Sequence, residues 1–273
     1  MRINSLSSVG QATFSSMKIF EDIVTAVGFA VAALSCFYLI PDFLPGNGDA
    51  MLQYAVMAAV AFYIIRAKQV STYRFFRLPE VSVVSGIGIV LSVIYGWMRT
   101  FTDEPVSLSL SAKILGLLYL LLIGLGEEFV SRGFIFSIFE KYGMPVAIFA
   151  SSLIFGLMHL NLYRGKYWNA PDAYFHVVNT FGFAVLAAAV MLATKSIWVA
   201  VLMHAVADWS VIFSKNAPEG YIPPVKPFDP LWQVIQDSFG LIEIPLIFST
   251  IIFTAMWISR RKSYPKLIDR IWN

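Results

Sequence analysis

The chain is 273 residues long, 58% hydrophobic and 14% charged, against roughly 45–50% and 25% in soluble domains, and its mean hydropathy is +0.70. This excludes a secreted or cytosolic enzyme and requires several membrane spans, since about 20 apolar residues cross one bilayer. The formal charge of +3 does not point to nucleic acid, because basic cytoplasmic loops account for it, and the lone Cys36 provides neither a disulfide nor a thiolate zinc site.

The first 22 residues are polar and rich in serine, without the apolar core and small-residue cleavage site of a secretory signal. Apolar runs follow at about Ile23–Ile40, Ala50–Ile65, Val81–Met98, Leu110–Gly126, Met144–Leu160, Tyr174–Ala193, Ile197–Phe213 and Leu241–Ser259, predicting an all-α, polytopic bundle of about eight transmembrane helices. Prolines and glycines punctuate the breaks, as at Pro41, Pro45, Gly46, Gly48 and Pro105. Ser214–Gly240 is the one sizeable connection, an ordinary loop in the simpler reading and a cap or lid over a site in the alternative. The chain divides accordingly into N-terminal helices (1–109), a helical core (110–213) and a loop, last span and basic tail (214–273).

Alternation of the spans places Arg66, Lys68, Arg74, Arg77, Lys141, Lys195 and the basic tail on one side with Arg2 and Lys18. Arg99, Lys113, Arg164, Lys166, Lys215 and Lys226 fall on the other, so the positive-inside rule puts both termini in the cytoplasm.

Glu127, Glu128, Arg132, His159, His204 and Asp208 fall within or beside the apolar layer, where a charge costs at least about 2.5–3.5 kcal/mol and needs a partner or a function. Glu128 and Arg132, four apart, can pair on one helix face, while Glu127 projects about 100° away. Phe155 with His159, and His204 with Asp208, share faces by the same rule. Glu127, His159 and His204 lie roughly 18, 21 and 12 Å from the basic side at 1.5 Å per residue, compatible with one layer. His176 reads as a structural residue at the interface, and Gly86, Gly88, Gly124, Gly126 and Gly182 as helix-packing positions.

In order, these groups are Glu127-Glu128-Phe129-Val130-Ser131-Arg132, Phe155-Gly156-Leu157-Met158-His159 and His204-Ala205-Val206-Ala207-Asp208. The trio resembles the Glu-Glu-x-x-x-Arg, Phe-x-x-x-His and His-x-x-x-Asn/Asp motifs of the CAAX-protease and bacteriocin-processing (CPBP, or Abi) family of intramembrane endopeptidases, over about Leu110–Trp209. Ser131 departs from the larger apolar residue frequent in relatives, Lys195 from a frequent glycine, and Asp208 from the asparagine usual in eukaryotic prenyl-protein proteases.

The resemblance implies a membrane endopeptidase cutting a peptide near the cytoplasmic side: a prenylated CAAX-like tail, a peptide leader or a membrane-anchored protein. Glu127 and His159 would activate water, and His204 and Asp208 would position or stabilise the tetrahedral intermediate, with Glu128, Arg132 and Phe155 in support. The cofactor is none or one zinc, the latter held by His159, His204 and Asp208 or Glu127. The expected partners are a protein or peptide substrate and the lipid bilayer, with no nucleic acid, and the expected location is a prokaryotic plasma membrane. A noncatalytic scaffold or bacteriocin self-immunity protein is the alternative, in which the same groups brace the bundle.

Overall fold

The computed structural model describes residues 6–39, 48–100, 106–160, 170–213 and 231–263. All its regular structure is helical. We number the principal helices α1 (Leu6–Leu39), α2 (Gly48–Ala67), α3 (Val83–Thr100), α4 (Leu110–Tyr142), α5 (Met144–Met158), α6 (Ala170–Thr194), α7 (Ile197–Ala207) and α8 (Leu231–Ser263). A short 3₁₀ turn, Ser71–Phe75, precedes α3, and the brief helix Ser210–Phe213 follows α7.

The eight apolar runs correspond to these eight helices. Five are long and apolar enough to cross a bilayer: α2, α3, α4, His176–Thr194 of α6 and Ile242–Arg260 of α8. The apolar segments Met144–Met158 and Ile197–Phe213 are shorter. The protein is therefore an integral membrane protein. Two expectations change. Leu231–Gly240 belongs to α8 rather than to the preceding connection, and the rest of that connection, with its lid alternative, lies outside the described residues. Gly86 faces open space and packs against nothing, whereas an added Cβ at Gly88, Gly124, Gly126 or Gly182 would meet another helix.

Helix ends follow local chemistry. The Ser109 side chain accepts from the Ala112 amide at 3.3 Å and starts α4. Between α6 and α7 the backbone turns at Lys195 with φ +56°, a left-handed conformation that favours glycine.

The most enclosed span is α6, 67% buried in its apolar window against 28% for α2 and α3. Its run Leu186, Ala187, Ala188, Ala189, Val190 and Met191 has no exposed surface, because small side chains let neighbouring helices approach.

The two ends of the bundle are tied differently. At one end Arg74 pairs with Glu140, Arg77 Nε donates to the Lys195 carbonyl at 3.4 Å, Ser196 Oγ donates to the Arg77 carbonyl at 2.6 Å, and Lys141 Nζ lies 2.6 Å from Asp22. Burial alone would push the Asp22 carboxyl up, but hydrogen bonds from Lys141 and Tyr142 outweigh it and hold the group below its ordinary value. Lys195 is lowered by burial and by the nearby Arg260. At the other end Arg99 Nε donates to the Ala207 carbonyl at 3.4 Å, and Val106 N–H to the Phe213 carbonyl at 3.2 Å.

Candidate active site

Glu127 and Glu128 stand where α4 changes character: Leu110–Glu128 is α-helical, and Phe129–Ile135 continues as a π-helix. π segments are rare and concentrate at functional positions. Within this one the Ser131 hydroxyl donates to the Glu127 carbonyl, and Arg132 Nη1 donates to Ser131 Oγ at 2.6 Å. Ser131 is thus a working part of the Arg132 environment.

Two glycines bring α4 against its neighbours at this level. A Cβ on Gly124 would lie 2.7 Å from the Val201 carbonyl oxygen of α7, and one on Gly126 would lie 3.2 Å from the Tyr54 carbonyl oxygen of α2. Real Cβ atoms do not tolerate the first distance, so α7 can seat His204 beside Glu128 only because residue 124 has no side chain.

The expected Glu128–Arg132 pair forms: Arg132 Nε is 3.2 Å from Glu128 Oε2, both side chains essentially buried. It is a close charge contact rather than an aligned hydrogen bond. The guanidinium also lies 4.5 Å over the Phe155 ring, a cation–π contact that gives Phe155 its supporting place. Glu128 has a second task that the i, i+4 pattern does not reveal. Its Oε1 accepts from His204 Nδ1 at 2.7 Å, fixing the imidazole and pointing Nε2 away. Edge-on rings of Phe183, 4.7 Å away, and Phe155, 6.0 Å away, complete the His204 pocket.

His159 ends α5, and its Nδ1 lies 2.8 Å from the Phe155 carbonyl. A carbonyl only accepts, so Nδ1 carries the proton and Nε2 faces inward. The two inward nitrogens converge on one oxygen: Glu127 Oε2 is 3.5 Å from His159 Nε2 and 3.6 Å from His204 Nε2. That buried oxygen has no hydrogen-bond partner. Asp208 Oδ2 lies 3.5 Å from His204 Nε2. All four sequence-derived candidates are thus in one cluster, drawn from α4, α5 and α7. Exposure of the side chains rises from 0% at Glu128 through 14% at Glu127 and His159 to 30% at Asp208, so the ion pair is sealed while the Glu127–Asp208 edge is reachable.

Sequence reasoning missed Tyr54. From α2 its hydroxyl donates to Glu127 Oε1 at 3.4 Å, occupying the carboxylate oxygen that does not face the histidines. His176, expected at the interface, lies with its ring 5.3 Å from that of His159, and Phe183, the other omission, packs on His204. Among the described residues no three His, Cys, Asp or Glu side chains form a group that could hold a metal ion, so His159, His204, Asp208 and Glu127 are neighbours here without being gathered as ligands.

The family described as type II CAAX prenyl endopeptidase Rce1-like matches residues 109–210, the segment containing all three motifs. This agrees with the resemblance drawn from Glu127-Glu128-x-x-x-Arg132, Phe155-x-x-x-His159 and His204-x-x-x-Asp208. No curated protein matches the chain.

Proposed function

We propose that this membrane protein with an Rce1-like core is an endopeptidase in which Glu127 is the general base, and that residues 110–213 form its catalytic unit within a multi-pass, about eight-span bundle with cytoplasmic termini, residing in a prokaryotic plasma membrane. One observation carries the reading: two imidazole Nε2 atoms from separate helices lie 3.5 and 3.6 Å from a buried, otherwise unpartnered Glu127 oxygen. Such a group is costly in an apolar bundle unless it has work to do. The spacing is longer than a direct hydrogen bond and suits groups that meet through a shared water.

In the mechanism, water held by Glu127 Oε2 and His159 Nε2 gives one proton to Glu127 as its oxygen bonds to the peptide carbonyl carbon. His204, as imidazolium balanced by Glu128 and Asp208, donates a hydrogen bond from Nε2 to the oxyanion that forms and keeps its proton. When the C–N bond breaks, Glu127 passes its proton to the departing nitrogen, leaving an acid and an amine. Glu128 and Arg132 position, respectively, the His204 ring and the turn bearing Glu127. No step requires a metal; zinc, if bound, would supply an activated water at the same edge.

With purified protein in lipid nanodiscs, Glu127→Gln should lower peptide turnover by about 10²–10⁴-fold, with unchanged helix content and thermal unfolding. Wild-type activity should survive a strong chelator. Loss on chelation with recovery on added zinc would replace the glutamate mechanism, and undiminished turnover in Glu127→Gln would remove the base assignment.

A further inference from the structure

We infer that the catalytic cluster is served from the non-cytoplasmic side of the membrane, so that its substrate is a polypeptide segment presented there and not a cytosolic tail. The term substrate rests on the endopeptidase reading; the orientation does not.

The first support is the distribution of cations. The contacts of Arg74, Arg77, Lys141 and Lys195 gather them at one end of the bundle, with Arg260 close enough to Lys195 to influence it. Lys18 shares the vicinity of Asp22 there, and Arg66 and Lys68 close α2 at the same end. The opposite end has Arg99, in the last turn of α3, and Lys113, in the first turn of α4; the alternation of spans in the sequence adds Arg164, Lys166, Lys215 and Lys226 there, six cations against thirteen. Basic residues near span ends are retained in the cytoplasm, which makes the crowded end cytoplasmic.

The second support is where the site residues lie along their helices. His159 caps the far end of α5, about 22 Å from its start at Met144. Asp208 caps the far end of α7, next to Ala207, whose carbonyl accepts from Arg99. Tyr54 lies about 9 Å inside the Gly48 end of α2 and about 20 Å from the Ala67 end. Three helices therefore set the cluster toward the end with fewer cations, while Glu127 lies near the middle of the long α4. The third support is exposure: Asp208, the member closest to that end, is also the most accessible at 30%. The family resemblance implies a cut near the cytoplasmic side, and the depths of roughly 18, 21 and 12 Å are counted from that side alone. Measured against both helix ends, His159, His204 and Asp208 are nearer the other face and Glu127 is close to the middle.

The test uses the full chain in a Cys36→Ser background. One variant has Ser107→Cys, exposed at the site end, and another Lys68→Cys, exposed at the basic end. In intact bacterial cells a membrane-impermeant maleimide should label Ser107→Cys, and should label Lys68→Cys only after permeabilisation. The reverse pattern overturns the proposal. A functional arm compares right-side-out with inverted vesicles given a pool of peptides from digested host membrane proteins, read by mass spectrometry, with Glu127→Gln as the blank. Cleavage by right-side-out vesicles supports the orientation, and cleavage by inverted vesicles alone overturns it while leaving the endopeptidase intact. If neither vesicles nor detergent-solubilised protein cleave any peptide, the endopeptidase reading and the substrate inferred here fail together, and the maleimide pattern still decides the orientation.

Discussion

Tyr54 stands 73 positions before Glu127 in the chain and reaches it from another helix. Nothing in the local sequence, an apolar stretch of α2, distinguishes that tyrosine from a packing residue. The same limit applies to the His204–Glu128 bond: spacing rules see neighbours on one helix, so they found the Glu128–Arg132 and His204–Asp208 relations and could not see one that crosses helices. The structure assigns each Glu127 oxygen a different neighbourhood, Oε1 toward Tyr54 and Oε2 toward the imidazoles. Removing only the phenol oxygen should therefore disturb the base and spare the packing. Tyr54→Phe should lower kcat about tenfold, the value of one ordinary hydrogen bond, with KM and thermal midpoint unchanged. A kcat equal to wild type would reduce Tyr54 to a wall of the pocket.

Helix positions were legible because a bilayer demands long apolar runs; helix limits and distortions were not. The π turn at Phe129–Ile135 contains no proline and encloses a buried arginine, and no periodicity announces it. The start of α8 at Leu231 was hidden by a mixed polar and aromatic composition that reads as a loop. Glycine spacing was informative only in part, since Gly124 and Gly86 look alike in sequence while one abuts a carbonyl and the other faces open space. Gly124→Ala should force α4 and α7 apart, cost about 1–3 kcal/mol of stability as overpacking does, and lower activity by displacing His204 from Glu127. Gly86→Ala, measured beside it by thermal unfolding and peptide turnover, should change neither. Equal behaviour of the two variants would contradict a close α4–α7 approach.

At the scale of the whole molecule, composition alone identified an integral membrane protein, and three short motifs pointed to one site before any coordinates. Their convergence from α4, α5 and α7 turns a set of weak patterns into a chemical arrangement, with α6 as the enclosed helix behind it. The substrate of the proposed endopeptidase is written in access routes and loop shapes, which depend on how whole helices end relative to the bilayer. The most direct measurement is a quantitative comparison of membrane-bound and released peptides from cells with wild-type protein or Glu127→Gln at matched abundance, with His159→Ala as a second knockout. The expected result is at least one cleavage product present with wild type and absent with both variants, its new terminus defining the bond cut. A phenotype that survives both substitutions, with no peptide altered, would contradict the endopeptidase and leave the buried cluster as a brace of the bundle.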